Sequence, residues 1–337
     1  MARLSPRPVE RPGGRLPLPG AKGRPYLFLS GAALLWAGNF VLGRAVNARI
    51  PPVGLAFWRW AVAFVLLFAG THRRLRTAWP LLARSWRVLV PLGILGVGSF
   101  NTLVYLGLGE TSATNALLLN SACPAFIVAI AAAAGLGRAT LRQLLGIALS
   151  LAGVLVILSR GEPGALLTRS ANRGDLFVLA AVLAWACYTV LLAWRPQDVD
   201  PLVLLTALVG VGVAFISPLY LWEMARGARV RLDPVTVCSI AYVSLAASIG
   251  AYTLWNRGVA EVGPNRAGVF LHLMPAFGTL LAAAFLGESL HLFQLGGIAP
   301  ILAGVWLAGA SRSGPPEPGP PGGGRPARQR VDRTRRD

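Results

Sequence analysis

The residues able to do chemistry in this chain are polar side chains stranded inside apolar runs. Ser244, Ser248, Tyr252 and Asn256 recur four apart, a spacing that puts them on one slowly drifting helix face. Asn101 and Tyr105 repeat the end of that stripe. Asn39, Asn115, Asn120, Tyr188 and His272 are similarly surrounded by apolar residues, and Trp185 shares a helix face with Tyr188. Amides, phenols and hydroxyls donate and accept hydrogen bonds without carrying charge. Their chemistry is therefore recognition of a small polar solute, or cross-linking of neighbouring helices. His272 is the only histidine well inside such a run, and an imidazole titrates near neutral pH, which makes it the candidate for proton coupling. Arg59 lies about two turns into an apolar run and reads as an anchor near the outer surface first and an anion contact second; Arg44 is a similar case.

Catalytic patterns are missing. The chain has no HExxH, GxSxG or Walker A motif and no paired carboxylates on one helix. Glu110, Glu261 and Glu288 fall at the ends of apolar runs, which weighs against coupling through an intramembrane acid. Cys123, Cys187 and Cys238 lie in apolar runs without metal-ligand spacing and read as small buried hydrophobes. No metal or cofactor is expected, and no enzyme.

The elements that position these groups are membrane helices. The 337 residues are 55% hydrophobic and 13% charged, about half the charge of a soluble domain. The net charge of +19 resides largely in Arg/Pro/Gly tails at residues 1–25 and 311–337, expected to be disordered, and in the stretch His72 to Arg87. A nucleic-acid partner needs a basic face on a folded domain, so anionic lipid is the expected counter-charge. Ten apolar segments fit the ~20 residues needed to cross hydrocarbon: about 26–46, 52–70, 88–108, 112–135, 143–159, 174–194, 201–224, 236–258, 264–286 and 291–310.

These segments form two copies of one unit. Thr102 to Ala133 aligns without a gap to Thr253 to Ala284, 151 residues on, so that Gly107, Glu110, Ala116 and Pro124-Ala125-Phe126 recur as Gly258, Glu261, Ala267 and Pro275-Ala276-Phe277. Trp36-Ala37 recurs as Trp185-Ala186. Five helices per copy is an odd number, so the copies enter the membrane in opposite senses. The fold class is an all-α membrane protein of ten transmembrane helices in two inverted five-helix repeats, residues 26–159 and 174–310, joined by a linker at 160–173. Such repeats place solute sites near mid-membrane at the repeat interface. Pro124 and Pro275 read as prolines deep inside helices four and nine, where the ring removes a backbone hydrogen bond and can serve as a hinge. That places Asn120 one turn before a proline whose ring leaves its carbonyl unpaired. Arginine distribution puts both termini in the cytoplasm, with the plasma membrane as the expected location.

Several short patterns, in order along this frame, resemble the EamA-type transporters of the drug/metabolite transporter superfamily. They are Leu35-Trp36-Ala37-Gly38-Asn39-Phe40, Phe57-Trp58-Arg59-Trp60, Glu110-Thr111-Ser112-Ala113, the two prolines, and Leu286-Gly287-Glu288. The first half departs at Leu136-Gly137-Arg138, where the acidic residue is replaced. The resemblance covers about residues 26–310. It implies export or exchange of small metabolites, often amino acids, through a cavity lined by helices one, three, four, six, eight and nine, with helices five and ten as scaffold. Small residues at four-residue spacing in those two, such as Gly146 and Ser150, or Gly304 and Ala308, let helices approach closely; an oligomer is compatible but not required. The expectation is an alternating-access carrier of neutral or zwitterionic solutes, held near Asn39, Asn101, Tyr105, Asn120, Tyr188, Tyr252, Asn256 and His272. The rivals are an intramembrane enzyme on lipid-linked substrates and a non-transporting membrane scaffold.

Overall fold

A computed structural model of the chain describes residues 23–46, 49–111, 116, 119–137, 139–159, 162, 164, 172–286 and 291–309. The basic tails, most of the 160–173 linker, Asn115, Arg138, Gly287 and Glu288 lie outside the described residues.

The described residues are helical throughout, without a strand. The helices are α1 (Arg24–Val46), α2 (Pro52–Arg84), α3 (Trp86–Leu108), α4 (Cys123–Ala133), α5 (Leu141–Leu158), α6 (Arg173–Trp194), α7 (Pro201–Ala225), α8 (Pro234–Val262), α9 (264–286) and α10 (Leu292–Gly309). Of these, α2, α3, α6, α7 and α8 are long and apolar enough to cross a membrane, and α4, α5 and α10 include shorter apolar stretches.

Local chemistry sets the helix starts. Pro52, Pro201, Pro234 and Pro264 stand in the first turn, where a missing N–H costs nothing and φ is already helical. Thr140 with Gln143 and Asn172 with Asp175 form capping boxes on α5 and α6. Asp200 and Asp233 cap α7 and α8.

Three expectations are corrected. First, α2 does not end near residue 70. Its 33 residues extend about 50 Å at 1.5 Å per residue, against a hydrocarbon thickness of about 30 Å. The basic stretch from Arg73 to Arg84 is helical because arginine, leucine and alanine are good helix formers; charge ends contact with hydrocarbon, not the helix. Second, Pro124 is not deep inside a helix. It occupies the first turn of α4, after a turn at Ser121-Ala122. Pro275 likewise follows a break: the 3₁₀ segment Val269–His272 precedes the regular helix that begins at Leu273. Third, α3 and α8 are not uniform. Each carries a π-helical segment, Gly93–Ser99 and Leu245–Gly250, at matching positions of the two copies.

Helices of the two halves pair antiparallel. At one end of the α2–α7 pair Arg74 bridges to Asp200 at 3.2 Å. At the other end the Glu223 carboxylate accepts from the backbone N–H of Val53 at 3.1 Å and Gly54 at 2.7 Å. In the α5–α10 pair a Cβ added at Gly146 would lie 2.6 Å from the Gly304 carbonyl, and one at Gly153 2.4 Å from the Gly297 carbonyl. The 151-residue offset turns Gly146 into Gly297 and Gly153 into Gly304. Exchanging the halves therefore maps one contact onto the other.

Candidate functional site

The two π segments supply the backbone of the site. A π turn displaces the regular hydrogen-bond ladder and occurs often at functional sites. In α3 it leaves the Gly96 carbonyl to accept the Tyr252 hydroxyl at 2.5 Å. At the matching place in α8, the Ala247 carbonyl accepts both the Trp36 indole N–H and an Arg59 Nη2–H, each at 2.9 Å. Ser248 reaches back five residues to the Val243 carbonyl at 2.8 Å and accepts from Arg59 Nε at 2.6 Å. The helix must carry glycine at residue 96, because a Cβ there would meet the Tyr188 ring at 2.3 Å.

Two Tyr–Asn hydrogen bonds then tie the first helix of each half to the third, with the residues exchanged. Tyr105 on α3 donates to Asn39 Oδ1 on α1 at 3.3 Å. Tyr188 on α6 donates to Asn256 Oδ1 on α8 at 2.8 Å. Asn39 corresponds to Tyr188, and Tyr105 to Asn256. Asn101 joins the halves by donating to the Tyr252 hydroxyl at 3.3 Å.

Between these layers lies a cavity lined by Trp36 and Asn39 of α1, Phe100, Asn101 and Val104 of α3, Asn120, Trp185 of α6, and Leu271 and Met274 of α9. Its volume is about 20 Å³, room for about one water by the same measure. Trp36 and Trp185, equivalent in the two halves, meet edge to face across it with centroids 5.1 Å apart. Trp36 finds an acceptor in Ala247. The equivalent acceptor for Trp185, the Gly96 carbonyl, is held by Tyr252, and the Trp185 indole N–H is buried without a partner among the described residues.

Of the eight residues expected at the site, Asn39, Asn101 and Asn120 line the cavity. Tyr105, Tyr188, Tyr252 and Asn256 stand behind it and hold the lining in place. His272, 1% exposed, lies beside the lining residues Leu271 and Met274. Its Nε2 contacts the Ser121 carbonyl at 2.9 Å and its Nδ1 the Ser150 hydroxyl at 2.6 Å. His272 and Ser121 are again equivalent positions of the two copies. Of the helices expected around the cavity, α8 supplies no lining residue and acts behind the wall through Tyr252 and Asn256. Ser244 is turned away, donating to the Ile240 carbonyl.

Arg59 is the residue that sequence reasoning misplaced. It is not an anchor at the surface: its side chain is 1% exposed and lies at the centre of the polar cluster. Nη1 reaches Asn39 Oδ1 at 3.2 Å and the Tyr105 hydroxyl at 3.0 Å, besides the Ser248 and Ala247 contacts. The nearness of Arg59 to the start of α2 masked its depth.

The comparisons agree with this architecture. Residues 23–159 and 172–310 each match the EamA-like transporter family. An uncharacterised transporter of Archaeoglobus fulgidus is 31% identical over 288 residues, covering 85% of this chain and 97% of its own length. The probable amino-acid metabolite efflux pumps of Salmonella typhimurium and Escherichia coli are 29% and 28% identical, each alignment covering 81% of this chain and 91% of the pump. A solved crystal structure 20% identical in sequence superposes with a TM-score of 0.67, covering 84% of this chain and 96% of its own, a likeness of fold alone. With a cavity bearing three asparagines between two equivalent sets of apolar helices and both halves matched, the chain is a multi-pass membrane protein that belongs to the EamA-like transporter family.

Proposed function

We propose that this chain is a secondary carrier of small neutral or zwitterionic metabolites of the amino-acid type, working by alternating access through ten spans in two inverted repeats. The observation that carries the reading is the small cavity at the meeting of equivalent residues, mostly apolar with three asparagines in its wall, with Asn101 bonded to Tyr252 and Trp36 against Trp185. A site on such an axis is presented alike to either side when the halves rock. The cavity now holds about 20 Å³, so a solute enters only as the halves separate. The breaks before Pro124 and Pro275 supply the flexible points. The names of the Salmonella and Escherichia pumps favour amino-acid metabolites as the solute class. Asn39, Asn101 and Asn120 contact the solute in this scheme, while Tyr105, Tyr188, Tyr252, Asn256 and His272 hold the frame. Both termini lie in the cytoplasm, the protein resides in the plasma membrane, and anionic lipid meets the basic segments.

The test is counterflow of radiolabelled amino acids into proteoliposomes. Stimulated exchange of at least one solute, lost in Asn101→Ala and reduced in Asn256→Ala, is the expected result. Exchange untouched by both substitutions removes this cavity from the transport path. Cysteine accessibility at 160–173 and at the C-terminal tail is expected on opposite faces; the same face excludes inversion.

A further inference from the structure

The pseudo-symmetry of the core fails in charge at Arg59. Arg59 on α2 corresponds to Leu208 on α7, 149 residues on, as Pro52 corresponds to Pro201. The core therefore holds one guanidinium on one side of the axis, buried to 1% exposure. Its partners are all neutral: the Ser248 hydroxyl, the Asn39 amide oxygen, the Tyr105 hydroxyl and the Ala247 carbonyl. The ion pairs among the described residues are Arg49–Asp233 and Arg74–Asp200, at the helix ends. The Trp60 ring face, 5.2 Å from the guanidinium, adds a weak attraction, but no anion among the described residues balances the charge, and removing such a charge from water is costly. One further feature has the same sense. Arg59 and Tyr105 both donate to Asn39 Oδ1, which leaves the Asn39 Nδ2 donors for the cavity it lines. The charge and the Asn39 donors together call for an anionic acceptor.

We infer that Arg59 makes the Asn39 side of the cavity a receptor for a solute carboxylate, acting as a positioning and charge-supplying residue through Asn39 rather than by direct contact. This inference rests on the carrier reading and refines it: the preferred solutes carry a carboxylate, with an apolar portion against Trp36, Phe100 and Trp185. In a cavity walled by buried protein groups, one fixed positive charge separates an anionic group from its neutral isostere more strongly than in water.

The experiment compares matched pairs in proteoliposomes, an apolar amino acid against its primary amide: L-leucine with L-leucinamide, and L-methionine with L-methioninamide. The wild-type chain is expected to favour the carboxylate form at least tenfold in kcat/KM. Arg59→Gln is expected to erase most of that preference through KM of the carboxylate form, and Arg59→Lys to retain part of it. Asn39→Asp, close in size, sets a permanent carboxylate against Arg59 and is expected to abolish the preference even if Arg59→Gln does not fold. A wild-type chain that favours no carboxylate, or a preference that survives Asn39→Asp or a folded Arg59→Gln, overturns the inference. Transport of the amides alone leaves the carrier reading standing, whereas absence of exchange with every amino acid and amide sinks both.

Discussion

Asn101 and Tyr252 occupy the same position in the two copies of the repeat, and they hydrogen-bond to each other, Asn101 Nδ2 to the Tyr252 hydroxyl at 3.3 Å. Equivalent residues touch only where they approach the axis that relates the copies. His272 and Ser121 do the same at 2.9 Å, as do Trp36 and Trp185 through their rings. These three contacts place the axis through the cavity. At the first contact the copies diverge, amide against phenol, so that Asn101 donates to a hydroxyl that itself donates to the Gly96 carbonyl.

The exchanged Tyr–Asn pairs are expected to differ in strength. Tyr188→Phe removes one neutral bond to Asn256 and is expected to cost about 1 kcal/mol, whereas Tyr105→Phe also takes an acceptor from the Arg59 guanidinium and is expected to cost about 2–3 kcal/mol. Thermal unfolding of the two variants in detergent measures the difference. Equal shifts would mean that the Tyr105 contact contributes nothing beyond its neutral bond to Asn39.

Adjacent glycines on α10 are expected to respond in opposite directions. Gly297 faces α5, where a Cβ would meet the Ile157 side chain at 2.5 Å and the Gly153 carbonyl at 2.7 Å. Gly296 faces outward with nothing within 4 Å. Gly296→Ala is expected to stabilise by about 0.5–1 kcal/mol, since alanine loses less backbone entropy in a helix. Gly297→Ala forces the α5 and α10 backbones apart and is expected to lower the melting temperature and the yield of folded protein. A neutral Gly297→Ala would refute close backbone packing of this pair.

Much of the frame was legible in the residues, for reasons the structure makes plain. Apolar runs and proline starts mark helices directly, so α5, α7 and α10 begin and end within about two residues of expectation. The gapless 151-residue offset found the duplicated core because symmetric packing demands similar residues at equivalent places. Asn39, Asn101 and Asn120 stood out because an amide in an apolar run is costly without a partner. What escaped was three-dimensional in origin. A π segment has no side-chain period of its own, and Gly93–Ser99 reads as ordinary apolar helix. Arg59 looked peripheral because depth was judged from distance along α2, while the polar partners that enclose it come from α1, α3 and α8. The basic end of α2 read as a loop because hydropathy reports contact with lipid, not helicity.

The start of α8 is expected to weaken in acid. The Asp233 carboxyl is held below its ordinary value, first by the backbone N–H of Thr236 and further by Arg49 at 2.8 Å. A carboxyl whose folded pKa is depressed contributes stability above its unfolded value near 3.9, and that contribution is lost as pH falls through the folded value. Asp233→Asn keeps a capping side chain but removes the charge. The difference in melting temperature between wild type and this variant is therefore expected at pH 7 and should shrink below about pH 4. A difference that does not change with pH would leave the charge without a role in the cap.

His272 can change its protonation state without losing a hydrogen bond. With its proton on Nε2, the ring donates to the Ser121 carbonyl and accepts from the Ser150 hydroxyl at Nδ1. If Nδ1 takes a proton, the Ser150 oxygen becomes the acceptor, and its hydroxyl turns to the Ile147 carbonyl 3.0 Å away. Both forms are satisfied, so only the charge changes, and that charge sits between α4, α5 and α9 where the halves meet. His272→Gln keeps a donor and an acceptor but cannot titrate. Solute accumulation driven by an imposed pH gradient is expected in wild-type proteoliposomes and is expected to be lost in this variant, while counterflow at equal pH continues at a comparable rate. Ser150→Ala, which removes the partner that reverses its role, is expected to reduce the driven component at least several-fold. Retention of gradient-driven accumulation in His272→Gln would exclude the imidazole as the coupling group and leave it as a cross-brace between the breaks that precede Pro124 and Pro275.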